Sequence, residues 1–148
     1  MKQVDFYLIS NQVVDAKYKL ASRLSNKLAR MQLKVLIVTD SLEASKQLNK
    51  VMWSFSDTSF VAHDHVPSES LTPSKVHITE TPSVSTDLVN DNYDVLINLA
   101  SEIHAFNHHF DRIAEIVEPN EKSKAAARER FKSYKSEGFE LKTSPVEL

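Results

Sequence analysis

Three short apolar runs constrain this chain more than anything else in it: VDFYLI from Val4 to Ile9, KVLIVTD from Lys34 to Asp40, and YDVLINLA from Tyr93 to Ala100. They are continuous and rich in β-branched or aromatic side chains, as strands buried on both faces are. Between the first two, from about Asp15 to Met31, Tyr18, Leu20, Ala21, Leu24, Leu28 and Met31 recur at helical spacing. After the second run, Ser41 reads as the N-cap of a helix carrying Leu42, Leu48, Met52 and Trp53. Strand, helix, strand, helix is the order that builds parallel sheets with helical cover.

The rest of the chain is less regular. From Ser54 to about Asn92, Pro67, Pro73 and Pro82 stand among many Ser and Thr, and only FVAH and KVHIT look extended, so loops and short edge strands are expected there. RIAEIVEP, Arg112 to Pro119, reads as a strand or a short helix that Pro119 ends. The last expected element is a helix in KSKAAARERFKSYKSEGFEL, Lys122 to Leu141. With 148 residues, 41% of them hydrophobic and 26% charged, and no repeat or linker, one soluble domain spanning 1–148 is the expectation.

An open parallel sheet invites a nucleotide, but the chain has a single glycine, Gly138. Neither GxGxxG nor a P-loop can be written with one glycine, so the first crossover, SNQVVDAKYK, has no phosphate cradle. The absence of cysteine removes disulfides, thiolate metal sites and cysteine nucleophiles together. His104, His108 and His109 include an i, i+4 pair, and His63 and His65 flank Asp64, yet neither HExxH nor cysteine accompanies them. They are read as exposed polar residues, and no metal or cofactor is expected. Asp40 and Ser41 sit where α/β enzymes keep catalytic groups, but Asp and Ser after a strand are also ordinary helix starts. With no nucleophile elbow in the chain, no catalytic residue is assigned.

Asp5 interrupts the N-terminus before a signal-type run can form, and no stretch approaches the roughly 18 apolar residues of a membrane span, so a cytoplasmic protein is expected. The formal net charge of -2 argues against a chain coated on nucleic acid.

The terminal helix departs from that near-neutral balance. At about 100° per residue, Lys124, Arg128, Lys132 and Lys135 fall within about a quarter of the circumference. Ala126, Ala127 and Tyr134 point the other way, and Phe131 lies on the border between apolar face and basic stripe. Gly138 followed by Phe139 is a C-cap pattern. Such a stripe is commonly just a solvated face. Its functional alternative is an anionic partner with an apolar element: Arg128 can hold a carboxylate bidentately, the lysines can steer an acidic chain, and Phe131 can take an aromatic or proline side chain. For a nucleic acid the footprint is small.

RERFKSYKSEGFEL, with VDFYLI, the VLI strand before Thr39 and Asp40, and MWSFSDTSFVAH, resembles the chi subunit family of bacterial DNA polymerase III, over nearly the whole chain. The resemblance implies a Rossmann-like, three-layer α/β domain with a mostly parallel central sheet and helices on both faces. It implies no catalysis, but an adaptor in the bacterial cytoplasm, at the nucleoid-associated replisome. One implied partner is the acidic C-terminal tail of single-stranded DNA-binding protein, which ends in Pro-Phe with a free carboxylate. Arg128 would hold that carboxylate, Phe131 and Val117 would line the pocket for the last Phe, and Lys124 and Lys132 would rim it, with Lys135 in the same stripe. The other partner is the psi subunit, met around Trp53, Phe60 and Val61, and through psi the clamp loader; a repair helicase is a further partner the family allows. Many relatives have Tyr where Phe131 stands, so a hydroxyl hydrogen bond is lost, and Pro where Ala62 stands. The competing readings are an enzymatic or nucleotide-binding α/β domain and a direct binder of single-stranded DNA.

Overall fold

The computed structural model describes residues 2–54, the backbone of 63–65, and residues 76–80, 93–101 and 110–148. Its strands are β1 (Gln3–Ile9), β2 (Val35–Thr39), β3 (His63–His65), β4 (Val76–Glu80), β5 (Val95–Asn98), β6 (Arg112–Val117) and β7 (Glu140–Val146). Its helices are α1 (Ala16–Arg30), α2 (Leu42–Ser54) and α3 (Glu121–Ser136). The strands form one sheet in the order β3-β4-β2-β5-β6-β1-β7. Every pairing is parallel.

The period-two alternation of the central strands builds two cores. Val35 and Ile37 of β2, Val95 and Ile97 of β5, and Ala114 and Ile116 of β6 pack against α1 and α2. Leu36, Val38, Leu96, Ile113, Val117, Val4 and Phe6 point to the opposite face, where Ala127, Tyr134 and Phe139 cover them. The expected three-layer α/β fold is present, with helices on both faces. Each large side chain removed from water in this way stabilises the fold by about 1.5–3 kcal/mol before the entropy of ordering it is counted.

Three local readings are sharpened. Ser41 does cap α2, its hydroxyl accepting from the Ala44 N–H at 3.1 Å. RIAEIV is a strand, flanked by β5 and β1. KVHIT, read as extended and expected at a sheet edge, overlaps β4, which is a strand but an interior one, buried at all five positions between β3 and β2. Prolines on either side and its mixed polarity suggested an edge, because a five-residue run carries little signal for how many neighbours a strand has.

One element was not expected. ELKTSPV pairs along its whole length with β1 as an edge strand. Lys, Thr, Ser and Pro are what an edge strand tolerates and what sequence patterning reads as loop. Its position is set from both ends. At the start, Gly138 takes φ +88°, and the Phe139 N–H returns to the Tyr134 carbonyl at 3.1 Å, closing α3. At the far end, the Asn11 side chain accepts from the Leu148 N–H at 2.9 Å and donates to its carbonyl at 2.7 Å.

Candidate functional site

Because α3 runs back across the sheet between β6 and β7, its flank meets the carboxyl-terminal half of β1. Phe6 and Leu8 of β1 point to this side, and Leu8 lies partly exposed at the edge of the helix's cover. A pocket of about 420 Å³ opens there, lined by Phe6, Leu8, Val117, Ala127, Phe131 and Thr143, with Ile9 and Glu118 at the strand ends. Lys124, Arg128 and Lys132 complete the lining from α3.

Two packed aromatic rings form part of the floor. Phe131 is half-buried, its ring centroid 5.5 Å from that of Phe6, and Tyr134 meets Phe6 edge-on at 6.2 Å. Among the described residues neither Lys124 nor Arg128 makes an ion pair, whereas Lys132 lies 3.6 Å from Glu129 on the helix surface. Glu118, the one acidic residue in the lining, has the Lys17 ammonium 3.8 Å away, which offsets part of its charge. A concave apolar floor with unneutralised cations above it suits a ligand with a hydrophobic end and a negative charge.

The helix is held by a buried polar network. Glu115 occupies a helix-facing position of β6 between Ile113 and Val117 and is fully buried. Its carboxylate accepts from Arg130 Nε at 2.9 Å, the Tyr134 hydroxyl at 2.7 Å and Asn98 Nδ2 at 2.9 Å. Burial pushes the Glu115 carboxyl above its ordinary value, with the Arg130 guanidinium and then the hydrogen bonds pulling it back only in part. Arg130 Nη1 also donates to the Ser101 carbonyl at 3.1 Å. The network thus ties α3 to β6 and to the end of β5.

Of the residues predicted for this site, Val117, Lys124, Arg128, Phe131 and Lys132 converge on the pocket. Lys135 does not line it and lies exposed one turn further along α3. Phe6, Leu8 and Thr143 were missed: the first two read as strand core, and Thr143 belongs to the strand that patterning did not show. Trp53, named for the second surface, is 62% exposed at the end of α2. Phe60 and Val61, and the histidines at 104, 108 and 109, lie outside the described residues.

A second cleft, about 400 Å³ and polar, opens at the carboxyl ends of β2, β5 and β6, where parallel α/β sheets commonly take ligands. Two of its polar lining residues are engaged by the chain's own backbone. Asp40 accepts from the Ser101 N–H at 3.0 Å, and the Asn120 side chain accepts from the Ser123 N–H at 2.8 Å, capping α3. Among the described residues no helix is long and apolar enough to cross a membrane.

Comparison with known proteins bears on the fold and the family. The crystal structure of T4 UvsW has the same fold over 99% of this chain and 41% of its own length, with TM-score 0.69 at 11% identity, a likeness of architecture alone. Proteins named DNA polymerase III subunit chi are similar along nearly their whole lengths. That of Pseudomonas aeruginosa is 29% identical over 95% of this chain and 94% of its own. That of Haemophilus influenzae is 27% identical over 98% of each. That of Escherichia coli is 26% identical over 97% of this chain and 98% of its own. The family model described as DNA polymerase III chi subunit, HolC, matches residues 1–142, and the chain belongs to that family.

Proposed function

We propose that this chain is a non-catalytic adaptor of the replicative polymerase's clamp-loader complex, working in the cytoplasm. The pocket beside α3 receives the acidic C-terminal tail of single-stranded DNA-binding protein. The terminal Phe of the tail enters the floor made by Phe6, Val117, Ala127 and Phe131, while Arg128 takes its carboxylate and Lys124 and Lys132 draw in the acidic residues before it. The surface around Trp53 docks the psi subunit, and psi links the chain to the clamp loader.

The observation that carries this reading is the combination, in one pocket, of an apolar floor with Lys124, Arg128 and Lys132 at its rim. The tail is presented in many copies on coated template DNA, so each contact can be weak, about micromolar or roughly 8 kcal/mol, and still tether the complex.

Fluorescence anisotropy of a labelled acidic peptide ending in Pro-Phe tests it, with native protein and Arg128→Ala at two salt concentrations. Saturable binding that salt weakens and the substitution abolishes is the expected result. Failure of the native protein to bind overturns the reading. Binding of a naked oligonucleotide at moderate salt without peptide binding would point to the basic face as a DNA site, and thermal stabilisation by a nucleotide to the polar cleft.

A further inference from the structure

The pocket wall at Thr143 is also the outer edge of the sheet. The Glu140 N–H donates to the Lys2 carbonyl at 2.9 Å, and the Val146 carbonyl accepts from the Ser10 N–H at 2.8 Å. The N–H and C=O of one strand residue point to the same side, and successive residues alternate. Glu140, Lys142, Ser144 and Val146 therefore turn their backbone groups toward β1, and Leu141, Thr143 and Pro145 turn theirs outward. Among the described residues no strand pairs with that outer side. Pro145 has no N–H, so the outward donors of the strand interior are those of Leu141 and Thr143.

The cations of α3 follow the same line. Arg130 leans toward the end of β5 through Ser101, which leaves the opposite flank of the helix, with Phe131, facing β1 and β7. On that flank Arg128, Lys132 and Lys135 succeed one another toward the C-terminus of α3. The turn at Gly138 reverses the chain, so this basic row runs alongside β7 in the opposite direction, from Thr143 back toward Leu141.

We propose that the outer edge of β7 is a strand-addition track for the acidic segment preceding the residue held in the pocket, a proposal that rests on the peptide-binding reading above. With its C-terminal end in the pocket, the segment runs past Leu141 and then Thr143, parallel to β7, and extends an all-parallel sheet by one strand. Its backbone takes the outward N–H and C=O groups of Leu141 and Thr143, and its acidic side chains lie beside Lys132 and Lys135. Main-chain pairing supplies affinity that does not depend on side-chain identity, which suits a partner defined by charge and one terminal aromatic. Pro145 stops the pairing at the pocket, where the peptide must leave the sheet edge to insert its last side chain.

The test is a set of synthetic acidic peptides ending in Pro-Phe, N-methylated singly at each of the four residues before the Pro and titrated against the native protein. Amide hydrogen exchange of the protein is followed by NMR with and without the unmodified peptide. The expected result is period two: methylation weakens binding about tenfold at alternate positions and little between them, since each methyl removes one hydrogen bond and obstructs the edge. Slowed exchange at Leu141 and Thr143, beyond the small changes at the already bonded Lys142 and Ser144, accompanies it. If the unmodified peptide binds but all methylated forms bind equally and the two amides exchange as before, strand addition is wrong and the pocket reading stands. If the unmodified peptide does not bind, both fall.

Discussion

Arg130 Nε and Glu115 Oε1 meet at 2.9 Å beneath α3, with the arginine side chain 8% exposed and the glutamate fully enclosed. A buried pair of this kind need not outperform an apolar pair of the same volume, but removing one partner strands the other. Arg130→Ala should lower the free energy of unfolding by about 3–5 kcal/mol, and adding Glu115→Gln, which removes the charge but keeps an oxygen to accept from Tyr134 and Asn98, should recover part of the loss. Urea titration of the single and double variants checks this. Equal damage in both would mean that the ion pair itself, rather than the unpaired carboxylate, carries the stability.

The same glutamate makes stability depend on pH. Its folded carboxyl holds a proton more tightly than in the unfolded chain, where the ordinary value is 4.5. The Glu115 contribution is therefore fully present in acid, below 4.5, and is lost as pH rises through the raised folded value. The difference in unfolding free energy between native protein and Glu115→Gln should shift against the native protein over that rise. A difference independent of pH would contradict the assignment.

Arg128 and Lys135 carry equal charge on one stripe but stand differently to the pocket, which Arg128 lines and Lys135 does not. Arg128→Ala should reduce affinity for the acidic Pro-Phe peptide more than tenfold, whereas Lys135→Ala should reduce it less than about threefold, as for one partner of a solvent-exposed ion pair. Anisotropy at matched salt separates them, and equal losses would show that charge alone, without the pocket, drives binding.

Gly138 sits at φ +88°, and a Cβ built there meets nothing within 4 Å. Gly138→Ala should therefore cost only the left-handed backbone penalty, about 1 kcal/mol, with no clash added. Chemical denaturation measures it. A loss several times larger would mean that the turn shifts and carries β7, with Thr143, away from β1.

Trp53, 62% exposed at the end of α2, offers large apolar area to a partner. Trp53→Ala should change the unfolding free energy by less than about 1 kcal/mol while weakening psi binding by about 2 kcal/mol or more, as truncation of an interface anchor does. Calorimetry with purified psi reads both. Unchanged psi affinity would move that interface elsewhere.

The strands β1, β2 and β5 and the helices α1, α2 and α3 were legible because each depends on local periodicity or on a cap, and both are written in adjacent residues. Ser41 and Gly138 marked helix ends through their own conformational and hydrogen-bonding chemistry. The basic stripe was legible for the same reason: a helix converts a spacing of three or four directly into a shared face. What the stripe faces was not legible. Glu115 reads as a polar interruption of RIAEIV until Arg130 and Tyr134 from α3 and Asn98 from β5 converge on it. Thr143 becomes a pocket wall only because β7 pairs with β1, a contact across more than 130 residues of chain that no local pattern encodes. Local sequence determined which elements form and which faces they offer. Long-range pairing and burial, which act between residues far apart along the chain, decided which of those faces enclose a site.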